Sequence, residues 1–493
     1  MNNNYYEDSY TKDIEPLYGD KRDKVNDKLL LKTNKYPHLY SIENRIDLTD
    51  LEVYSIDPEG CKDADDAFSI NINKNKNNNK NNKNNQNIFL YIHIADPTEY
   101  IELHSDLWLN IENKIITKYP SNRDAIHLMP QEIMEKSSLI ENKYGNIKNA
   151  LSIKIEIDKY SYLPKNNIQL LFTKIKVKKE NAYSYELASK NVENIECFKI
   201  GLMISEALAL KRSEKTLGVK LNNLNQSLIY YNCSIPYLHV DSRLEKMMKQ
   251  MIAEFAILCN SFIGTYLKIH FDGIGIFRTC DSSLLNLNLD SNINGEDLIH
   301  EIIVNGIQAS YIEKVASHDL VGVDEYTHFT SPIRRASDCI CHYLLKYLYL
   351  KNLGQIVLDE PFQKNKLEDL NFKCNFETKK FKKIQYKDNK FRYIQIMNLM
   401  LKDNNCLKLK YYFTSYKKPF LNLIICNINH FNIYLSYTLK VYGLNINYNY
   451  NDILNSNVIN EIQISNVNCL GIFDEGSIPE LDEQIMNFMF LKK

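Results

Sequence analysis

The chain predicts an α+β fold: a mixed sheet with packed helices, followed by a small β-barrel-like C-terminal domain. Three observations carry this expectation. Alternating or continuously apolar β-rich runs occupy the first part of the chain, long segments of helical periodicity follow, and short strands return near the C-terminus. At 493 residues the chain is long enough to bury a substantial core.

In order along the chain, residues 1–44 form an N-terminal extension whose opening, MNNNYYEDSYTKDIEP, is polar and acidic, with neither an apolar leader nor a basic amphipathic pattern. The run LEVYSI reads as a strand, broken into a turn by Pro58 and Gly60. The next strand-like runs, AFSINI and IFLYIHIAD, flank the tract 73–87, built only of Asn, Lys and Gln. Such a tract has no apolar surface to bury, so a hairpin with an inflated, disordered turn is expected. Strands are expected at 150–158 and 169–177, and helices at 193–211 and 242–268. These complete a unit spanning 45–350. Lys-rich sequence within 351–403 reads as a helical connector, and LKLKYYF, FLNLIICNI and FNIYLSYTL within 404–493 as a C-terminal β domain.

Composition narrows the function. The net charge of -1 gives no bulk attraction to a polyanion, so a nucleic acid would need a local basic groove. The 11 cysteines are odd in number and contain no CxxC pair, which argues for reduced thiols, no disulfide-linked partner and no zinc site. Cys339 and Cys341 read as small core residues. No run reaches the ~18 consecutive apolar residues of a membrane span. The expectation is a soluble intracellular protein, cytoplasmic with the nucleus left open, and no membrane partner.

The segment SIDPEGCKDADDAFSI gathers Asp57, Asp63, Asp65 and Asp66. Carboxylates that close repel one another unless a cation holds them together. Asp57 ends a strand, and the other three follow on a loop, where an irregular backbone can turn Asp65 and Asp66 into one site. Hard oxygen ligands of this kind suit Mg²⁺. A solvated acidic turn is the alternative. In YTHFTSPIRRASDCICHYLLKYLYL, Ser331 is a natural N-cap and Pro332 a natural first helical residue, so a helix is expected to begin there. Ile333, Ser337, Ile340, Cys341 and Leu344 form its core stripe, while Arg334, Asp338 and His342 share another face. Two arginines at a helix N-terminus oppose the dipole, which makes sense if they bind a phosphate; arginines simply paired with nearby carboxylates are the alternative. Glu254 falls on the apolar stripe Met247, Met251, Phe255, Leu258, and a buried Glu there requires a partner.

Together SIDPEGCKDADDA and YTHFTSPIRRASDCICH resemble the ribonuclease II/R family, whose catalytic domain is called RNB and which includes the exosome's hydrolytic subunit. Weaker likenesses lie in RIDLTDLEV, IHIADPTEYI, LMPQEIMEKSSL and IAEFAILCN. The resemblance implies a hydrolytic, processive 3′→5′ exoribonuclease that releases nucleoside 5′-monophosphates from single-stranded RNA, with Mg²⁺ as cofactor and an RNA-decay complex as a conceivable partner. It implies Asp57 and Asp66 as metal anchors, Asp65 as the residue most critical for cleavage, and Asp63 as an additional ligand. Arg334 is implied on the scissile phosphate and Arg335 on the RNA backbone. Tyr119 and Tyr100 occupy plausible positions for stacking on bases, while Ser331 and His328 are further candidate RNA contacts. The sequence departs from the family at Ala336, where an aromatic is usual, at Ala253 for a frequent Glu, and at Ile140 for Arg. Residues 1–44 are too few for the paired cold-shock OB domains that thread RNA in the family, so structured RNA is expected to be a poor substrate. The C-terminal strands are compatible with a degenerate OB barrel. A catalytically weakened RNB protein, serving as an RNA-binding or scaffolding subunit, is the rival reading.

Overall fold

The computed structural model describes residues 10–19, 39–74, 86–215, 227–232, 235–283, 302, 307–354, 359–404, 406–417, 420–440 and 460–464. Six strands build the first sheet: β1 (Ile46–Asp47), β2 (Val53–Asp57), β3 (Asp66–Lys74), β4 (Gln86–Ala95), β5 (Ile147–Ile157) and β6 (Pro164–Ser184). β3 and β4 are the expected hairpin, in register from Asp66↔Ile94 to Lys74↔Gln86. The strands thus run to Lys74 and Gln86, into the Asn/Lys tract, whose residues 75–85 lie outside the described residues.

The mixed sheet closes on itself. β6, 21 residues long, pairs antiparallel with β5 through its first part and parallel with β2 through its end, from Val53↔Val177 to Asp57↔Ser184. The pairings therefore run in a ring, β2–β3–β4–β5–β6–β2. Alternation sorts the two faces. Phe68, Ile92, Ile94, Leu151 and Ile153 feed the main core, while Ala67, Ala95, Ala150 and Ile175 form a smaller one. Between small-core neighbours, Ser69, His93, Ser152 and Thr173 form a buried hydrogen-bonded chain.

The helices are α1 (Asp106–Lys114), α2 (Gln131–Ser137), α3 (Tyr185–Asn191), α4 (Glu196–Ser213), α5 (Arg243–His270), α6 (Ala336–Asn352) and α7 (Lys364–Asn404); α2, α3 and α4 contact the sheet, and α7 packs on α1. α5 starts from a complete capping box, Ser242 with Glu245. It is long and apolar enough to cross a membrane by composition, but Met248, Met251, Phe255, Cys259, Ile263 and Leu267 are buried in the core. Glu254 on this helix is buried and forks onto Arg212 of α4, with Arg212 Nε 2.9 Å from Oε2.

α6 begins at Ala336, four residues later than Pro332, the expected first helical residue, and this corrects the sequence reading. Residues 331–335 are a turn because Asp338 reaches back: its Oδ1 accepts from Ser331 N at 2.8 Å, and its carboxylate takes the Arg335 guanidinium at 2.8 Å on both oxygens. Ser331 Oγ, rather than capping a helix, accepts from Arg334 Nη2 at 3.0 Å. Nor does α6 keep a solvent face, since Asp338 and His342 are as buried as the core stripe. A buried ion network seats it against the end of β4. Lys346 Nζ lies 3.0 Å from Asp96 and 2.9 Å from Glu99, and Arg45 Nη2 lies 2.6 Å from each carboxylate. Burial alone would raise the Asp96 carboxyl, but Lys346 and Arg45 outweigh it and hold it well below its ordinary value.

Past α7, β11 (Leu407–Lys417), β12 (Phe420–Ile428), β13 (Phe431–Lys440) and β14 (Asn460–Ile464) form an antiparallel sheet in the order β13-β12-β11-β14. Short strand pairs β7 (Leu228–Asn232) with β8 (Ile235–His239), and β9 (Ile274–Thr279) with β10 (Ser310–Lys314), lie beside α5 in the chain. Among the described residues the C-terminal sheet is open, without the closing pair of a barrel.

Candidate functional site

The aspartates line one cleft of about 1040 Å³. Asp57 is the last residue of β2 and Asp66 the first of β3, so the antiparallel pairing of these strands brings both carboxylates to one end of the sheet. Gly60, at φ 78°, makes the intervening turn possible. Neighbouring backbone bonds then hold the irregular stretch: Leu139 N to Ala64 O at 3.1 Å, Ala64 N to Ser138 Oγ at 3.2 Å, and Ala95 N to Asp65 O at 2.8 Å. Ser138 and Leu139, just after α2, therefore brace the aspartate loop.

Asp65 joins the two sequence motifs. Its Oδ1 accepts from Ile333 N at 2.8 Å, and its Oδ2 lies 3.3 Å from Arg334 Nε. Arg334 keeps 47% of its side chain exposed and lines the cleft. Asp57 accepts from Ser55 Oγ. Asp63 faces His127 at 3.9 Å, and its Oδ2 is buried with no hydrogen-bond partner.

Electrostatically the cluster is strained when it carries all its charges. Burial raises the Asp57 carboxyl despite hydrogen bonds from Ser55 and Cys61, and raises Asp65 well above its ordinary range despite Arg334. Burial, with the Asp57 charge added, pushes Asp66 up to about 7. An orphaned carboxylate oxygen beside three desolvated carboxylates fits a hard divalent cation, which supplies the charge they lack. Asp57, Asp63, Asp65 and Asp66 line the cleft toward such a cation, while the group whose three ligand atoms already lie within 4.8 Å of one another among the described residues is His239, Asp241 and Glu245.

Other expected contacts divide. Tyr119, 39% exposed, and His328 and Ser331 line the cleft. His328 Nδ1 is bonded to the Tyr311 hydroxyl at 2.7 Å, and burial together with Arg335 holds the imidazole well below its ordinary pKa, hence neutral. Arg335, expected on the RNA backbone, also lines the cleft, and its guanidinium is engaged by Asp338. Burial would raise Asp338, yet Arg335 holds it at about 2. Tyr100 is not brought to the cleft: it packs on the main core near Asp96 and Glu99.

Sequence reasoning missed His127, Tyr185 and Lys249, which also line the cleft. Lys249 Nζ stands 5.5 Å over the Tyr185 ring and 2.6 Å from Asp241. None lies in a distinctive motif; the packing of α3 on α5 brings Tyr185 and Lys249 together, and His127 reaches the cleft from the segment ahead of α2. Of the departures, Ala253 lines the cleft exposed, whereas Ala336 is fully buried and Ile140 packs on the smaller core.

Residues 45–351 match the RNB domain family. The mitochondrial exoribonuclease II of Saccharomyces cerevisiae is 25% identical over 347 residues, covering 61% of this chain and 34% of its own length. Ribonuclease R of Mycoplasma genitalium is 22% identical over 372 residues, covering 66% of this chain and 48% of its own. The chain thus spans between a third and a half of these relatives. Among solved structures, Mycoplasma genitalium RNase R in complex with ribose methylated single-stranded RNA aligns with a TM-score of 0.68 at 18% identity, covering 90% of this chain and 73% of that one. Yeast Ssd1, a pseudonuclease, aligns with a TM-score of 0.59 at 16% identity, covering 81% and 51%. These structural likenesses show the shared α+β fold. Because the family match spans well over half of the sequence and contains both the aspartate cluster and the arginine turn, the chain belongs to the RNB domain family.

Proposed function

We propose that this chain is an Mg²⁺-dependent 3′→5′ exoribonuclease that hydrolyses single-stranded RNA to nucleoside 5′-monophosphates. The observation that carries the reading is the bond of Asp65 to both Ile333 N and Arg334, which sets a phosphate-binding guanidinium beside the carboxylate cluster. Ribonuclease names among the relatives support the same class. A divalent cation held by Asp57, Asp63, Asp65 and Asp66 would polarise a phosphoryl oxygen and acidify a bound water.

The chain's own groups do the rest. Arg334, half exposed, has donors left for a phosphate oxygen after its contacts with Asp65 and Ser331. Asp65 orients that guanidinium as well as contributing charge. Tyr119 offers a ring face at the cleft for sequence-tolerant base stacking. Arg335 and Asp338 hold the arginine turn in shape, and Ser331 and His328 give the cleft wall polar edges.

The deciding experiment digests 5′-labelled single-stranded RNA with purified protein and Mg²⁺, and separates the products on a denaturing gel and by nucleotide chromatography. Wild type is expected to release 5′-monophosphates, and Asp65→Asn to lose at least about 100-fold in rate, the scale of a lost electrostatic contact at a reacting centre. Equal rates in the two proteins overturn the role given to Asp65. The likeness to a pseudonuclease and the exposed Ala253 in the cleft favour one second reading, an RNA-binding or scaffolding subunit. RNA binding without mononucleotide release decides for that.

A further inference from the structure

Residues 116–127 carry one wall of the cleft, including Tyr119, Asp124 and His127. The ends of this loop are tied inward. Thr117 N donates to the Arg334 carbonyl at 2.9 Å, Thr117 Oγ1 accepts from Leu128 N at 3.0 Å, and Lys118 and Ile126 exchange backbone bonds of 3.0 and 2.8 Å.

Its middle is held from the opposite side, away from the cleft. Asp388 on α7, only 1% exposed, accepts from Ser121 N at 3.0 Å and from Ser121 Oγ. The same carboxylate accepts from the phenols of Tyr10 and Tyr18, each at 2.7 Å. Arg392, one turn further along α7, donates Nε to Ser121 Oγ at 2.8 Å and lies 4.3 Å from the centroid of the Tyr10 ring. Arg123 adds an ion pair to Glu15 at 3.2 Å. One buried carboxylate thus joins the N-terminal segment, the long helix and a loop position two residues from Tyr119. Such an anchor is stable because four hydrogen bonds converge on one buried carboxylate and support one another. Burial and the Asp388 charge push both phenols upward, so they stay protonated donors throughout the physiological range.

Asp388 is outside the cleft lining, so it has no direct part in the chemistry. We propose that Asp388, acting through Ser121, is a positioning residue for Tyr119, holding the loop so that the ring is set for stacking before single-stranded RNA arrives. The clamp removes the cost of ordering the loop from the binding step. This inference rests on the RNA-contact reading of Tyr119 given above.

A double-mutant cycle on the full chain tests it. The probe is a 5′-fluorescent oligouridylate, bound without added metal and followed by anisotropy, with Ser121→Ala, Tyr119→Ala and the double variant. Tyr119→Ala is expected to weaken binding roughly tenfold, the scale of one lost base stack. Ser121→Ala should weaken it severalfold on its own and add nothing once Tyr119 is gone, the non-additivity of residues acting through one another. Full additivity, or an inert Ser121→Ala beside an active Tyr119→Ala, overturns the positioning role and leaves the RNA contact standing. An inert Tyr119→Ala overturns the contact itself and the inference with it. Tyr10→Phe with Tyr18→Phe loosens the same carboxylate from its far side, and gives the same cycle with Tyr119→Ala if Ser121→Ala does not fold.

Discussion

At the residue scale, the site is governed by desolvated charge. Asp66 has an ordinary carboxyl pKa of 3.8 that burial raises to about 7 in the cation-free fold. Between those values the folded state holds a proton that the unfolded chain has lost, so this group's contribution to stability is complete below pH 3.8 and disappears as pH rises through about 7. A cation bound as proposed would have to displace that proton, so its affinity would rise over the same range. The Mg²⁺-induced increase in Tm is therefore expected to be larger at pH 8 than at pH 6, and equal increases would remove Asp66 from the cation's ligands. Asp338 has the opposite balance: it is fully buried but paired, and Arg335 is its partner. Asp338→Ala leaves that guanidinium without its carboxylate and should cost about 3–5 kcal/mol, measured by denaturant unfolding. The aspartate cluster was legible in the sequence because repulsion among near neighbours is a local fact. Pairing of the arginines with nearby carboxylates was open as an alternative, but which carboxylate takes Arg335 was not legible, because Ser-Pro ahead of two arginines reads equally well as a helix start, and the choice was made by a side chain three residues further on.

At the scale of elements, close approach matters more than propensity. Gly264 lies inside α5, where glycine is ordinarily worse than alanine by about 1 kcal/mol. A Cβ there would meet Tyr326 N at 2.9 Å and the Glu325 carbonyl carbon at 3.1 Å. Both are backbone atoms, so relief requires moving the segment that leads into Thr327, His328 and the arginine turn. Gly264→Ala is expected to destabilise by about 1–3 kcal/mol, the usual cost of overpacking, and a stabilised variant by thermal melting would refute the close packing of α5 on that segment. The β3–β4 hairpin and the capped start of α5 were readable from alternation and from Ser242 with Glu245. The late start of α6 was not.

Across the whole molecule, the buried network of Arg45, Asp96, Glu99 and Lys346 ties α6, the helix that follows the arginine turn, to the end of β4, next to the aspartates. Lys346→Met should lower stability by about 3–5 kcal/mol by leaving Asp96 and Glu99 short of a cation, and an unchanged unfolding midpoint would show that Arg45 suffices alone. By itself the sequence determined the α+β class, the hairpin, the acidic cluster, the buried Glu254 and a family resemblance, all of which rest on short-range periodicity, turn chemistry and motif spacing. Tertiary structure alone decided that β6 closes the sheet into a ring, that α6 is buried on every side, that Tyr100 belongs to the core, and that His127, Tyr185 and Lys249 share the cleft. The physical reason is sequence distance: these features depend on contacts between residues tens to hundreds of positions apart, and no local pattern of side chains records which distant partner will satisfy a buried charge or complete a sheet.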